Sequence, residues 1–462
     1  MTSLRHEDLW RPARDLPFLV FSAAVALGLV RAADQPAFTA GFAGTKVSLV
    51  PADAAFAALA ACVVWRLLGG GSLPRPTRAV TFAAAAFSGW LLASSAANGG
   101  EAVVAATKLL EYGLIGLGAV LFIQRRVQLW LFVGVIVAVE TVAVGYALLA
   151  FFDVPPLEPA SPGGRQPSFL GEHGLASLSN LALTFALATL FAPRRRLRGL
   201  AVVAGVAGAL GLVLGAALAG LLGLYLGIAA ILGLAVARGA ATRRAVTLTV
   251  ATALVVTVGA LALRSGDLAA FARYLGVSER SEVQDENAAG WSQRLIYAYV
   301  GGRVFLDNPV LGTGWYGRLP PSEYARYLPD ARARFSDQPP RYFPSRTEGF
   351  IPQQTYDQVL YELGILGALL FLVLVGVAAT ATWAAGRDWP RGDPDEPAAY
   401  LPAAWVGALV GGLAGAALFG GIPLAAIFWI TLGVAALAPS LVPPPAARRS
   451  GLERSTVGVH AG

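Results

Sequence analysis

The residues able to do polar chemistry are few, and most of them are gathered in one part of the chain. Arg294 and Arg303 lie nine positions apart in WSQRLIYAYVGGRVFLDNPVLGTGWYG, residues 291–317. A guanidinium fork matches phosphate oxygens, so each is a candidate anion ligand. At about 100° per residue a helix puts the two on opposite faces, and only one can aim at a given ligand. The turn Gly312-Thr313-Gly314 that follows admits two readings. Its N–H groups could approach a phosphate, or it is a plain tight turn, the commoner use of such a pattern. In PQQTYDQVLYELGILGALLFL, residues 352–372, Gln353 and Asp357 are spaced i, i+4 and fall on one helix face. Glu362, nine residues beyond Gln353, points elsewhere, into the protein. Lys108 and Glu111, at i, i+3, are charges inside an apolar run, spaced to neutralise each other.

The elements that must position these groups follow from composition. Of 462 residues, 56% are hydrophobic and 14% charged, with a mean hydropathy of +0.61. Soluble domains carry about a quarter charged residues, so a soluble enzyme, a nucleic-acid-binding protein and a secreted disulfide scaffold are excluded. Apolar runs occur at about 17–31, 49–67, 79–97, 103–123, 128–151, 173–192, 245–263, 355–383, 401–419 and 422–440. A further run, 199–237, has the length of two spans joined by a tight turn. An all-α polytopic membrane protein of about twelve transmembrane helices is predicted, with one large extracytoplasmic loop containing short helices.

Arginines fall in alternate connections: Arg5/Arg11/Arg14, Arg66/Arg75/Arg78, Arg125/Arg126, Arg194–Arg198, Arg238/Arg243/Arg244 and Arg448/Arg449/Arg454. The positive-inside rule makes these cytoplasmic, with both termini inside. The net charge of +7 is therefore read as loop arginine and not as a nucleic-acid surface. The expected organisation is a bundle of about nine spans over 1–263, an extracytoplasmic loop over 264–353, three spans over 354–442 and a disordered cytoplasmic tail over 443–462. The loop holds 21 of the 63 charged residues, eleven of them arginine, and is rich in Tyr, Trp, Phe and Pro. That mixture predicts an ordered cap, with a helix over 291–306. One cysteine, Cys62, and three histidines, His6, His173 and His460, offer little from which to build a metal centre, and no cofactor is expected.

The order of many spans, a tight helical pair, an external loop with Arg294, Asn308-Pro309, Gly312 and Gly314, then a re-entry with Tyr356, Glu362, Gly364 and Gly367 resembles the O-antigen ligase and O-antigen polymerase superfamily. The stretch FLGEHGLASLSNLAL, residues 169–183, also resembles a family segment at an outer membrane boundary. The resemblance implies metal-independent glycosyl transfer on the outer face of the bacterial cytoplasmic membrane. The implied donor is a glycan on undecaprenyl pyrophosphate, and the acceptor is a glycan or a lipid. Membrane lipids are the other expected partners, and nucleic acid is not one. A departing pyrophosphate needs its charge neutralised, which suits arginine, and the acceptor hydroxyl needs a base.

Two departures from the family pattern matter. Gln353-Gln354 stand where family members carry a His-Asn pair whose histidine is the proposed base, and Ala217-Leu218-Ala219-Gly220 lacks the arginine of the family's Ser-Arg-Gly-like motif. His173, opening the sixth span at the same expected depth, and Asp357 are the candidate replacements. Arg294, His173, Asp357 and Gln353 are thus the expected catalytic set, with substrate contacts expected from Arg303, Arg318, Gly312, Gly314, Tyr356 and Glu362. A transporter or flippase of a lipid-linked substrate competes with this reading. The two halves show no obvious repeat, however, and an arginine-rich external segment has no ready purpose in a transporter. A non-catalytic family member that binds carrier lipid is the third reading.

Overall fold

A computed structural model describes residues 15–42, 45–69, 77–155, 157, 164–192, 195–266, 268–269, 286–393 and 395–443. The expected tail lies outside the described residues beyond 443, as do Arg273 and Arg280 of the loop. Twelve apolar helical stretches account for most of the rest. They are α1 (Leu16–Leu29), α2 (Pro51–Leu68), α3 (Arg78–Asn98), α4 with α5 (Gly100–Glu111, Gly113–Phe122), α6 (Arg126–Phe151), α7 (Glu172–Phe191), α8 (Arg198–Gly215), α9 (Leu218–Ala237) and α10 (Arg243–Leu263). After the loop, which holds α11 (Glu286–Asp307), α12 (Pro321–Tyr324) and α13 (Leu328–Arg334), come α14 (Thr355–Asp388), α15 (Leu401–Gly412) and α16 (Pro423–Leu441). Among the described residues ten are long and apolar enough to cross a membrane; α1 and α15 are shorter apolar helices. The chain is an all-α polytopic membrane protein.

Three departures from the sequence expectation have local causes. A β-hairpin, β1 (Phe38–Phe42) against β2 (Thr45–Leu49), fills the connection between α1 and α2, with Phe38 opposite Leu49. The run expected to span 401–419 leaves the helix at Gly412, because Gly411, Gly412 and Gly415 interrupt it, and residues 413–422 turn back over the bundle end. Gly364, at φ 67° and ψ −171°, breaks α14 into two helices that meet at a kink.

The centre of the bundle is α7 and α16, buried along almost their whole length, while α2 and α10 bury only a narrow side. Apolar side chains gain nothing from one another over lipid, so close backbone approach must hold the helices. Gly223 and Gly227 of α9 face Gly407 and Gly411 of α15, each pair spaced four residues apart. A Cβ on Gly407 would lie 2.7 Å from the Leu226 carbonyl oxygen, and one on Gly411 would overlap the Gly223 backbone.

Among the described residues, one intramembrane lysine pairs with two carboxylates. Lys108 Nζ meets Glu111 at 3.2 Å, as its spacing predicts, and also Asp53 of α2 at 2.9 Å. Glu140, fully buried, accepts a 2.5 Å hydrogen bond from Ser179 Oγ of α7. At the arginine-rich end, Arg238 donates to the Gly386 and Trp389 carbonyls at 2.7 and 2.6 Å and pairs with Glu396 at 2.6 Å.

The loop folds into a cap with a core of its own. Ile296, Val300 and Val304 of α11 pack with Leu319, Tyr324, Leu328 and Phe350, and Tyr361 of α14 joins this core to the bundle. Leu319 and Phe350 exchange backbone hydrogen bonds of 2.9 and 3.0 Å that tie the middle of the cap to its C-terminal end. The buried Tyr324 hydroxyl donates to the carbonyls of Ser345 and Glu348. Burial pushes that phenol up, which keeps it a donor.

Candidate functional site

The residues singled out by type and spacing separate into two groups. The first forms the seam between cap and bundle. Gly312 N donates to Asn308 O at 3.0 Å and Gly314 N to the Glu362 backbone oxygen at 2.9 Å. The Glu362 carboxylate, fully buried, accepts from Tyr316 N at 2.9 Å and Gly317 N at 3.0 Å. Ile365 N returns a 2.9 Å bond to Pro309 O. From α3, Ser94 Oγ donates to Leu311 O at 2.7 Å, and Ser95 Oγ accepts from Trp315 N at 3.1 Å. Trp90 Nε1 donates to Leu363 O at 2.9 Å.

The two glycines therefore take the turn reading. Both have positive φ, 70° and 84°, and their N–H groups are spent on protein carbonyls, so neither offers a donor to a phosphate. Glu362 points inward, but its carboxylate holds the backbone of the Gly-rich turn and does not line the cap-end cavity. Tyr356 likewise turns inward, donating to Val410 O at 2.8 Å.

The second group meets at the cap end. A cavity of about 340 Å³ is lined by Arg31, just past α1, by Glu172 and His173 at the start of α7, by Gln353 ahead of α14, and by residues 415–417, 419 and 422–424. The uncoiling after α15 supplies its far wall, and a Cβ on Gly415 would sit 3.2 Å from the His173 ring. Three guanidinium groups, those of Arg294, Arg165 and Arg264, act electrostatically on His173. Arg165 also pairs with Glu172 at 2.5 Å. Arginines from the cap, from α10's end and from the segment before α7 thus lie within electrostatic range of one imidazole, and that excess of positive charge complements an anion.

Arg294 and Arg303 part company as their spacing predicts. Arg294 bears on His173, while Arg303 pairs with Asp330 at 3.3 Å on the outer side of the cap, beside Tyr299. Arg318 is exposed and packs along Gly349. The expected pairing of Gln353 with Asp357 on one helix face does not form. The helix begins at Thr355, so Gln353 lies in the extended stretch before it, and Gln354 Nε2 donates to Asp357 Oδ2 at 2.9 Å instead. Asp357 does not line the cavity. Of the two candidate replacements for the missing base, His173 is the one the cavity reaches.

Motif spacing gives no sign of Arg31. Its signal is position: it is an arginine at the end of a span where the alternate connections are otherwise nearly free of them. Among the described residues no group of three or more His, Cys, Asp or Glu is placed to hold a metal ion.

Residues 203–372 match the family model of the O-antigen ligases. The match runs from α8 across the cap and seam into α14, and leaves Arg31, His173 and residues 415–424 outside it. No curated protein matches the chain. The matched segment contains the loop and re-entry motifs on which the resemblance rests, and over those residues the chain is similar to the O-antigen ligases.

Proposed function

We propose that this chain transfers a glycan from an undecaprenyl-pyrophosphate carrier to a glycan or lipid acceptor, at the cap-end cavity, on the outer face of a bacterial cytoplasmic membrane. The observation that carries the reading is the gathering of Arg31, His173 and Gln353 on one cavity, with Arg294 of the cap acting on the same imidazole. The acceptor hydroxyl oxygen attacks the anomeric carbon of the donor as the bond from that carbon to the pyrophosphate oxygen breaks. The electron pair leaves with the pyrophosphate. The hydroxyl proton passes to His173, since Glu172, the other basic group on the cavity, is held by Arg165 at 2.5 Å and Gln353 can only orient the acceptor. Arg294 and Arg31 neutralise the leaving charge, a role that suits fixed guanidinium groups at a water-poor boundary. The arginine-rich connections at the opposite end support the orientation, with both termini cytoplasmic. The membrane-end position of the cavity suits a donor whose lipid stays in the bilayer. No step here calls for a metal.

The test uses purified protein in liposomes, with undecaprenyl-pyrophosphate-linked oligosaccharide and an acceptor, without added divalent metal. Transfer of the chain is expected. Arg294→Ala is expected to lose about a hundredfold in rate, in the range seen when one charge-stabilising group is removed. Full activity in that variant would overturn the site. No transfer to either a lipid or a glycan acceptor by the wild-type protein would favour the non-catalytic reading.

A further inference from the structure

A second cavity opens at the arginine-rich end, between α7, α8 and α10. At about 920 Å³ it is nearly three times the size of the one beneath the cap. Its walls are apolar, with Leu187, Val206 and Leu248 among them, and Val206 and Leu248 are also substantially exposed. Small residues make the room: a Cβ on Gly205 would lie 3.3 Å from that of Ala186, both of which line the space. Arg198 and Arg244, each exposed, stand at one end of it with Thr242.

The dimensions match one leaflet. The lining runs from Arg198 to Ala209 on α8 and from Thr242 to Thr252 on α10, which at about 1.5 Å per residue is about 15 Å. The hydrocarbon core of a bilayer is about 30 Å thick. The groove thus begins at a membrane surface, where its arginines lie, and stops near the midplane. Both α8 and α10 start at that end, so their positive dipole ends add to the charge of Arg198 and Arg244. A cationic rim over an apolar trough of that depth fits an amphiphile with an anionic head and hydrocarbon tails.

We propose that this groove holds one anionic phospholipid of the leaflet opposite the cap, its phosphate between Arg198 and Arg244 and its acyl chains along α7, α8 and α10. The site is separate from the cap-end cavity and stands whether or not glycosyl transfer occurs there. Its occupant packs between α10 and the bundle centre, where α10 buries little of itself against protein.

The test is native mass spectrometry of the full-length protein released from membranes containing equal phosphatidylglycerol and phosphatidylcholine. One tightly retained phosphatidylglycerol is expected. The double variant Arg198→Gln/Arg244→Gln should weaken its retention roughly thirtyfold, at some fivefold per arginine near a membrane surface. Val206→Trp, which fills the trough from an exposed position and leaves both arginines in place, should also expel the lipid. Arg387→Gln removes an exposed arginine of the same membrane end that pairs with Asp388 outside the groove, and should have no effect. Equal retention of the two lipids, or an equal fall in Arg387→Gln, would show surface charge alone and overturn the site. So would displacement of the lipid by millimolar inorganic phosphate, which would make the site one for the free ion.

Discussion

The seam lies within the family-matched segment and the cap-end cavity lies mostly outside it, and the two treat polar groups in opposite ways. In the seam, the N–H groups of Gly312, Gly314, Tyr316 and Gly317 all end on Asn308 or Glu362, and the carboxylate that accepts half of them is fully buried. At the cavity, Arg31, His173 and Gln353 line open space, and the charge around them is of one sign apart from Glu172. Backbone donors that end on buried protein acceptors act as scaffold, because they are no longer free to meet a ligand. Side chains that line open space with several arginines nearby are placed to meet a ligand, and an anion is the one that this charge favours. The residues singled out by type and spacing thus divide into those that hold the cap on the bundle and those that line the cavity beneath it.

Substitutions that fall on one side of this division and not the other should separate stability from activity. Gly312→Val is expected to be the most damaging. Its Cβ would overlap the Glu362 and Gly364 backbone at a positive φ, so folded protein should not be recovered from the membrane by size-exclusion chromatography. His173→Ala should unfold at nearly the wild-type temperature in detergent while losing about 10²- to 10⁴-fold in transfer rate, the range for a general base. A thermal midpoint that fell along with the rate would move His173 to the scaffold side. Glu362→Ala should do the reverse, costing roughly 2–4 kcal/mol by stranding two buried N–H groups. Transfer by whatever protein remains folded at low temperature should persist. Arg303→Ala should cost at most about 1 kcal/mol and leave transfer unchanged, because its pairing with Asp330 is half-exposed. A strong loss of activity there would extend the site over the outer side of the cap.

Some of this division is legible in residue spacing. The nine-residue interval between Arg294 and Arg303 separates them by simple helical geometry, and the fold keeps them apart. Glu362 does face inward, although Gln353, from which its nine-residue interval is counted, is not in the helix. The same geometry fails at Gln353 and Asp357, because i, i+4 neighbours share a face only if one helix contains both, and this helix starts two residues after Gln353. Gly312 and Gly314 admit two readings for a related reason. A glycine turn near a phosphate and a glycine turn near a glutamate carboxylate have the same local sequence, and only the partner differs.

Hydropathy and arginine placement depend on each residue's own transfer energy and on its distance from the next apolar run. They therefore determined the membrane class, the succession of apolar helices and the single long cap without reference to any contact. The cavity could not be read that way. Arg31, His173, Gln353 and Phe419 belong to four separated parts of the chain, and their meeting depends on how closely α7, α15 and α16 pack. That packing in turn rests on glycines whose partners are far away in sequence. Tertiary structure decided which of the scarce polar residues face a cavity, because burial and partnership are properties of the surroundings and not of the residue.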